Sequence, residues 1–300
     1  MARAAMRNEE LWGVLPVDKP EGPTSHDVVA AARRGLGTRR VGHTGTLDPF
    51  ASGLLLLCIG RATRLAEYLS ELPKTYVAAA RLGVSTDTDD RTGAVVASSE
   101  RWRELSAAEI EAAFRSQVGR ILQVPPIFSA KRVGGERMYR LARRGETPEA
   151  HPVPVTVYRL EVRSLDLPVV EFEVECSSGT YIRAIARDVG ETLGTGAHLI
   201  ALRRTRIGAH HVAGALPMDR LGDRDAVAAA LLSPLAALSH LPVVEVSEHE
   251  AVELGNGVPV TAPEGLAAGG PIAVAFENEL LAVAAVEGGR LVPRKVFPRE

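Results

Sequence analysis

Only two cysteines occur in 300 residues, Cys58 within an apolar run and Cys176 at the end of an alternating segment. Their spacing fits neither a disulfide framework nor a metal-ligand set, so both read as core thiols in a reducing compartment. Net charge is nearly absent too: 35 Lys and Arg stand against 37 Asp and Glu, leaving -2 at pH 7. This excludes a uniformly basic nucleic-acid binder, and an anionic partner would have to be met by local clusters. No apolar run approaches the ~20 residues of a membrane helix. The longest candidate, Ala226 to Leu238, is broken by Ser233 and Pro234. No apolar segment follows Arg3 and Arg7, so a secretory signal is not expected and a cytoplasmic location is. Internal repeats, a dinucleotide glycine fingerprint, a lysine-tipped phosphate loop and clustered His/Cys ligands are all missing, and therefore no metal and no cofactor is expected. STDTDDRTG looks superficially like a calcium loop, but Arg91 takes a ligand position and the glycine is misplaced, so it reads as a turn.

What is present is concentrated in Gly42 to Arg64, GHTGTLDPFASGLLLLCIGRATR. One carboxylate, Asp48, sits in a glycine-bounded loop, and Pro49 pushes it away from helical dihedrals. Leu54 to Ile59 behind it reads as a buried strand that anchors the loop. Basic residues gather in three places. Arg33, Arg34, Arg39 and Arg40 surround one turn, Lys131, Arg132, Arg137, Arg140, Arg143 and Arg144 another, and Arg203, Arg204 and Arg206 form the third. With Phe128 and Tyr139 interleaved, these clusters point toward RNA phosphates and bases.

The 46% hydrophobic content supports a packed core. VLPVDK reads as a strand, followed by a helix capped by Thr24 or Ser25 and ended by Gly35 and Gly37. Thr63 is expected to cap a second helix, Thr75 to Leu82 to form a strand, and Ser106 with Glu109 to form a capping box. A basic insertion at about 124–152 is expected to be helical only from Glu136 to Arg144. Strands are expected at Val155 to Leu165 and Val169 to Cys176, and helices starting near Thr180 and Thr195. Without a regular βαβ rhythm, the class is α+β. Past about Leu241, short apolar strands between Gly and Pro clusters read as a small β-barrel.

GHTGTLDPFASGLLLLCIG resembles the catalytic-aspartate motif of the TruB family, bacterial tRNA pseudouridine synthases that act on the T-loop. VDKPEGPTSHDVV resembles its K-P motif, KTYVAAARLGVSTDTDDRTG its tyrosine motif, SSGTYIRAIARDVG its arginine motif, and GAHLIALRRTRIG a fifth segment that carries Leu202. The matches keep the family's order from Leu11 to Ile207. Phe50 and Ser52 stand where leucine and threonine are expected, and Thr75 where a basic residue is common, but no reactive group is lost.

The resemblance implies a pseudouridine-synthase-type fold, with a mixed, largely antiparallel sheet flanked by helices. LGNGVPV and GGRLVPRKVF resemble the PUA module, which gives a catalytic domain over 1–240 and a PUA-like RNA-binding domain over 241–300. It also implies catalytic roles for Asp48, Tyr76 and Arg183, and substrate contacts for His43, Lys19, Tyr181, Leu202 and Lys131. Lys19 and Pro20 match a motif that supports the active-site loop. The implied partner is the T-stem-loop of tRNA, with no protein partner, no membrane and a monomeric protein. Two other readings compete. One is a non-catalytic RNA-binding protein. The other is a glycosidic-bond hydrolase, which needs a second carboxylate that these motifs do not supply.

Overall fold

The apolar run behind Asp48 becomes a strand deep in a large sheet. The computed structural model describes residues 11–126 and 151–297, together with 132–133, 136–137 and 144. Strands β1 (Gly13–Lys19), β2 (Val41–His43), β3 (Ser52–Ile59) and β4 (Lys74–Leu82) belong to one ten-stranded sheet. Its main order is Leu216–Pro217, β1, β3, Ala197–Ile207, β4, Val169–Cys176, Val153–Asp166 and Gly119–Gln123. Only two pairings are parallel, Leu216–Pro217 with β1, and Arg203 and Arg204 beside Ser52 and Gly53. The sheet is thus mixed and largely antiparallel, in an α+β arrangement. β3 is apolar on both sides because both sides are covered. Leu55, Leu57 and Ile59 pack with Val28, Val29 and Ala32 of helix α1 (Ser25–Leu36), while Leu54, Leu56 and Cys58 pack with Leu65 and Leu69.

Local signals set the helix ends. Thr24 and Asp27 form a reciprocal capping box on α1, and Gly37 closes it in the left-handed region at φ 68°. Thr63 does not cap: its hydroxyl donates to the Gly60 carbonyl inside a 3-10 turn, and α2 (Ala66–Ser70) follows. Ser106 and Glu109 cap α3 (Ala107–Arg115) as their spacing predicts. A further helix spans Ile182–Thr192, but none starts near Thr195. Ala197–Ile207 is instead a strand between β3 and β4, because Leu202, Arg204 and Ile207 are buried while Arg203 and Arg206 are not. Arg132–Val133 and Glu136–Arg137 form a short antiparallel ladder where a helix was expected to begin. Arg144, its expected end, is a turn residue, while 138–143 and Lys131 lie outside the described residues.

Past residue 242, five strands form a second, curled sheet in the order Val243–Glu245, Gly269–Phe276, Glu279–Glu287, Arg290–Val296, Val260–Thr261. It is compatible with a PUA-like half-barrel, and helix Glu248–Gly255 packs Ala251 and Leu254 into its core. This sheet docks on the first through Phe297, whose ring stacks on Trp12 at 5.6 Å, with Arg61 over Trp12 and Arg64 over Phe297.

Gly53, at the root of the Asp48 loop, has φ 105°, and a Cβ there would lie 2.2 Å from the Arg204 carbonyl oxygen. Both the conformation and the backbone neighbour reject a side chain. Gly53→Ala is expected to cost about 2 kcal/mol or more, read as a lower urea midpoint at unchanged denaturant slope.

Candidate active site

Asp48 is fixed by its neighbours. The Ser25 hydroxyl, buried at the start of α1, accepts from the Leu47 amide at 2.8 Å and donates to the Leu47 carbonyl at 3.2 Å. The Gly22 amide donates to Pro49 at 2.8 Å, and the Thr44 amide to Leu56 at 3.2 Å. α1, the Lys19–Pro23 segment and β3 therefore hold the loop from three sides. Lys19 is fully buried, and its ammonium donates to the Pro20 and Pro23 carbonyls at 2.9 and 2.8 Å. Desolvation brings its pKa down to about 8. It supports the loop and does not line the cavity.

That cavity is about 350 Å³, and its lining brings together His43, Asp48, Tyr76, Tyr181, Arg183 and Leu202, which lie on five separate segments. Tyr76 projects from β4 and Leu202 from Ala197–Ile207. Arg183 comes from the first turn of Ile182–Thr192. His43 accepts from the Gly45 amide at 3.3 Å through Nδ1 and meets His26 edge-on at 5.9 Å between centroids.

At the centre, Arg183 Nε lies 2.9 Å from Asp48 Oδ2. The guanidinium is 4% exposed and the carboxylate 34%, so the cation is sealed while the anion opens to the cavity. Arg183 Nη1 donates to the Thr88 carbonyl at 2.8 Å and lies 3.6 Å from Asp90 Oδ2. Desolvation raises the Asp48 pKa above the ordinary carboxylate value, Arg183 opposes the rise, and the like charge of Asp90 adds to it. Burial likewise raises the Tyr76 phenol, and the Arg204 cation opposes it.

Asp90 is a site residue that the sequence reading missed. Its Oδ1 accepts from the Thr88 hydroxyl, the Thr92 amide and the Thr92 hydroxyl at 2.9, 2.9 and 2.6 Å, which leaves Oδ2 for Arg183. STDTDDRTG is indeed a turn, but one whose buried acid reaches the site. Asp90 is also the companion carboxylate the motifs did not reveal, although it stands behind Arg183 and outside the cavity lining. Gln123 was missed as well. Its side-chain amide accepts from the Tyr181 amide at 2.8 Å and donates to the Tyr181 carbonyl at 3.0 Å. The Arg203–Arg206 cluster is not one phosphate-facing patch: Arg203 pairs with Asp18 at 2.7 Å, and Arg204 is 1% exposed. Cys58 and Cys176 are buried thiols with pKa pushed up to about 12. No helix among the described residues is long and apolar enough to cross a membrane.

The family model described as TruB family pseudouridylate synthase (N terminal domain) matches residues 33–182. The model of the tRNA pseudouridylate synthase B C-terminal domain matches 183–238. A tRNA pseudouridine synthase B of Arthrobacter sp. (strain FB24) is 45% identical, over 96% of this chain and 97% of that protein. One from Geobacillus thermodenitrificans (strain NG80-2) is 42% identical, over 95% and 99%. Among solved structures, a chain of an H/ACA RNP bound to a substrate RNA containing 2′-deoxyuridine superposes with TM-score 0.74 at 26% identity, over 96% of this chain and 85% of that one. The archaeal box H/ACA sRNP Nop10-Cbf5 complex gives 0.74 at 27% identity, over 97% and 88%.

Titration of the Asp48 carboxyl, followed by carbon NMR, is expected above the ordinary carboxylate value; Asp90→Asn should lower it and Arg183→Gln raise it. A folded pKa above the unfolded one means that the stability contribution of Asp48 is full below the unfolded pKa and lost as pH rises through the folded one. The stability of Asp48→Asn relative to the parent should therefore improve across that window.

Proposed function

The chain belongs to the TruB family of pseudouridylate synthases, and from that premise we propose that it converts uridine 55 in the T-loop of tRNA to pseudouridine. The observation that carries the reading is the Asp48–Arg183 contact at 2.9 Å, opening on a cavity that Tyr76, His43 and Leu202 also line. The isomerisation breaks the C1′–N1 bond, turns the uracil and joins C1′ to C5. Nothing is oxidised and no atom is lost, so the reaction calls for an ionised, partly desolvated acid rather than a cofactor. Asp48 supplies that carboxylate, at the ribose or at the base, and Arg183 keeps it charged and aimed.

A uridine folded into a loop is out of reach, so it has to be everted into the cavity. His43 would stack near the gap it leaves. Leu202 and the Tyr76 ring would pack on the base, and Tyr181 would shape the wall beside Arg183. Lys131 and its basic neighbours in the 124–152 insertion would meet phosphates, and residues 241–300 would form a PUA-like RNA-binding domain following a catalytic domain over 1–240. The enzyme would act as a cytoplasmic monomer. Asp90 does not support hydrolysis: it is tied to Arg183 and does not line the cavity, where a second acid would have to face the bond.

Incubation with an unmodified tRNA transcript, followed by carbodiimide mapping, should place pseudouridine at position 55, and free uracil in its place would mark a hydrolase. Asp48→Asn is expected to abolish product while tRNA binding persists; substantial residual turnover, with deamidation excluded, would refute the carboxylate's role. Tyr76→Phe should slow turnover about 10²-fold or more if the hydroxyl handles a proton, and near-parental turnover would leave the ring a packing role.

A further inference from the structure

Arg204 is buried to 1% exposure, and no ion pair joins it to a carboxylate among the described residues. Its donors go to backbone carbonyls: Nε to Leu54 at 2.7 Å, Nη2 to Gly45 at 3.0 Å and Nη1 to Thr46 at 3.4 Å. Two of those carbonyls belong to the loop that carries Asp48. A sealed guanidinium satisfied only by carbonyls carries a full desolvation cost, and a neutral donor could brace a loop without it. The charge has a target. Arg204 stands directly opposite Tyr76 in the antiparallel ladder, both side chains line the cavity, and Cζ lies 6.0 Å from the ring centroid. The guanidinium charge beside the ring opposes the rise that burial imposes on the phenol's pKa.

We propose that Arg204 is a positioning residue for the isomerisation: it ties the Asp48 loop to the strand position facing Tyr76 and favours the phenolate that takes the C5 proton. The inference rests on reading the cavity as a uridine site. After C1′ and C5 have joined, the C5–H bond breaks, its electron pair becomes the C5–C6 double bond, and the C6–N1 π pair moves onto N1. N1 takes a proton from solvent, and the phenolate oxygen becomes the phenol. That phenol returns its proton to solvent before the next turnover.

The test compares the full-length parent with Arg204→Gln and Arg204→Lys, on unmodified tRNA carrying either hydrogen or deuterium at uridine C5. Arg204→Gln should lower kcat about 10²-fold with little change in KM, raise the C5 isotope effect above the parent's, and shift the phenol-dependent limb of the pH–rate profile to higher pH. Arg204→Lys should restore part of the rate and bring the limb back. In a Tyr76→Phe background, Arg204→Gln should add little further loss. Equal losses in both backgrounds, with isotope effect and pH limb unmoved, would make Arg204 a loop brace only and overturn the proposal. If Arg204→Gln does not fold, Arg204→Lys decides: an isotope effect above the parent's supports the proposal, and one equal to it overturns it. A parent that forms no pseudouridine would instead defeat the reading of the cavity, which separates the two failures.

Discussion

One guanidinium, that of Arg183, makes an ionised acid tolerable at the edge of an apolar core. Withdrawing a carboxylate from water costs several kcal/mol, and Asp48 sits where its desolvation outweighs every other influence on its charge. Arg183 cannot swing away to find another partner. The Thr88 carbonyl and Asp90 hold one side of its fork, and its helix is anchored by Ile182, Ile185 and Val189 in the core. The asymmetry of the pair follows from this. The cation is locked behind, and the partly exposed carboxylate lines the cavity.

The ten-stranded sheet serves that arrangement by bringing its contributors side by side. β4 and Ala197–Ile207 are adjacent, so Tyr76 and Arg204 meet across the ladder and Leu202 follows two residues away on the same face. β3 lies beside Arg203 and Arg204, so the loop leaving its start is within reach of the Arg204 guanidinium. Two cations, Lys74 and Arg204, line the cavity and are satisfied by carbonyl oxygens. Desolvation, reinforced by Arg204, brings Lys74 down to about 8.

Much of this was legible in the sequence because its causes are local. Capping boxes at Thr24 and Ser106, the apolar run of β3 and the alternation of Val169–Cys176 each carry their own signal over a few residues. The TruB-like motifs named the cavity residues for the same reason. What escaped depended on distant partners. Nothing in STDTDDRTG announces that one oxygen of Asp90 is taken by two threonines while the other meets an arginine from another helix. Arg203 and Arg204 look alike in a list of basic residues, yet the pleat sends one to Asp18 and the other inside. A helix was expected to start near Thr195, and only pairing with β3 and β4, both distant in sequence, makes that segment a strand.

The double clamp of Gln123 on the Tyr181 backbone has a mechanical meaning. Gln123 ends its strand, and the next carbonyl, Val124, accepts from Arg187 at 3.0 Å, one helical turn beyond Arg183. The long segment that leaves the sheet at this point is thus riveted at its root to the helix that steadies the reactive acid. A displacement of that root would be felt first by Tyr181 and Arg187, so the anchor of the segment and the setting of a single oxygen's charge share one joint.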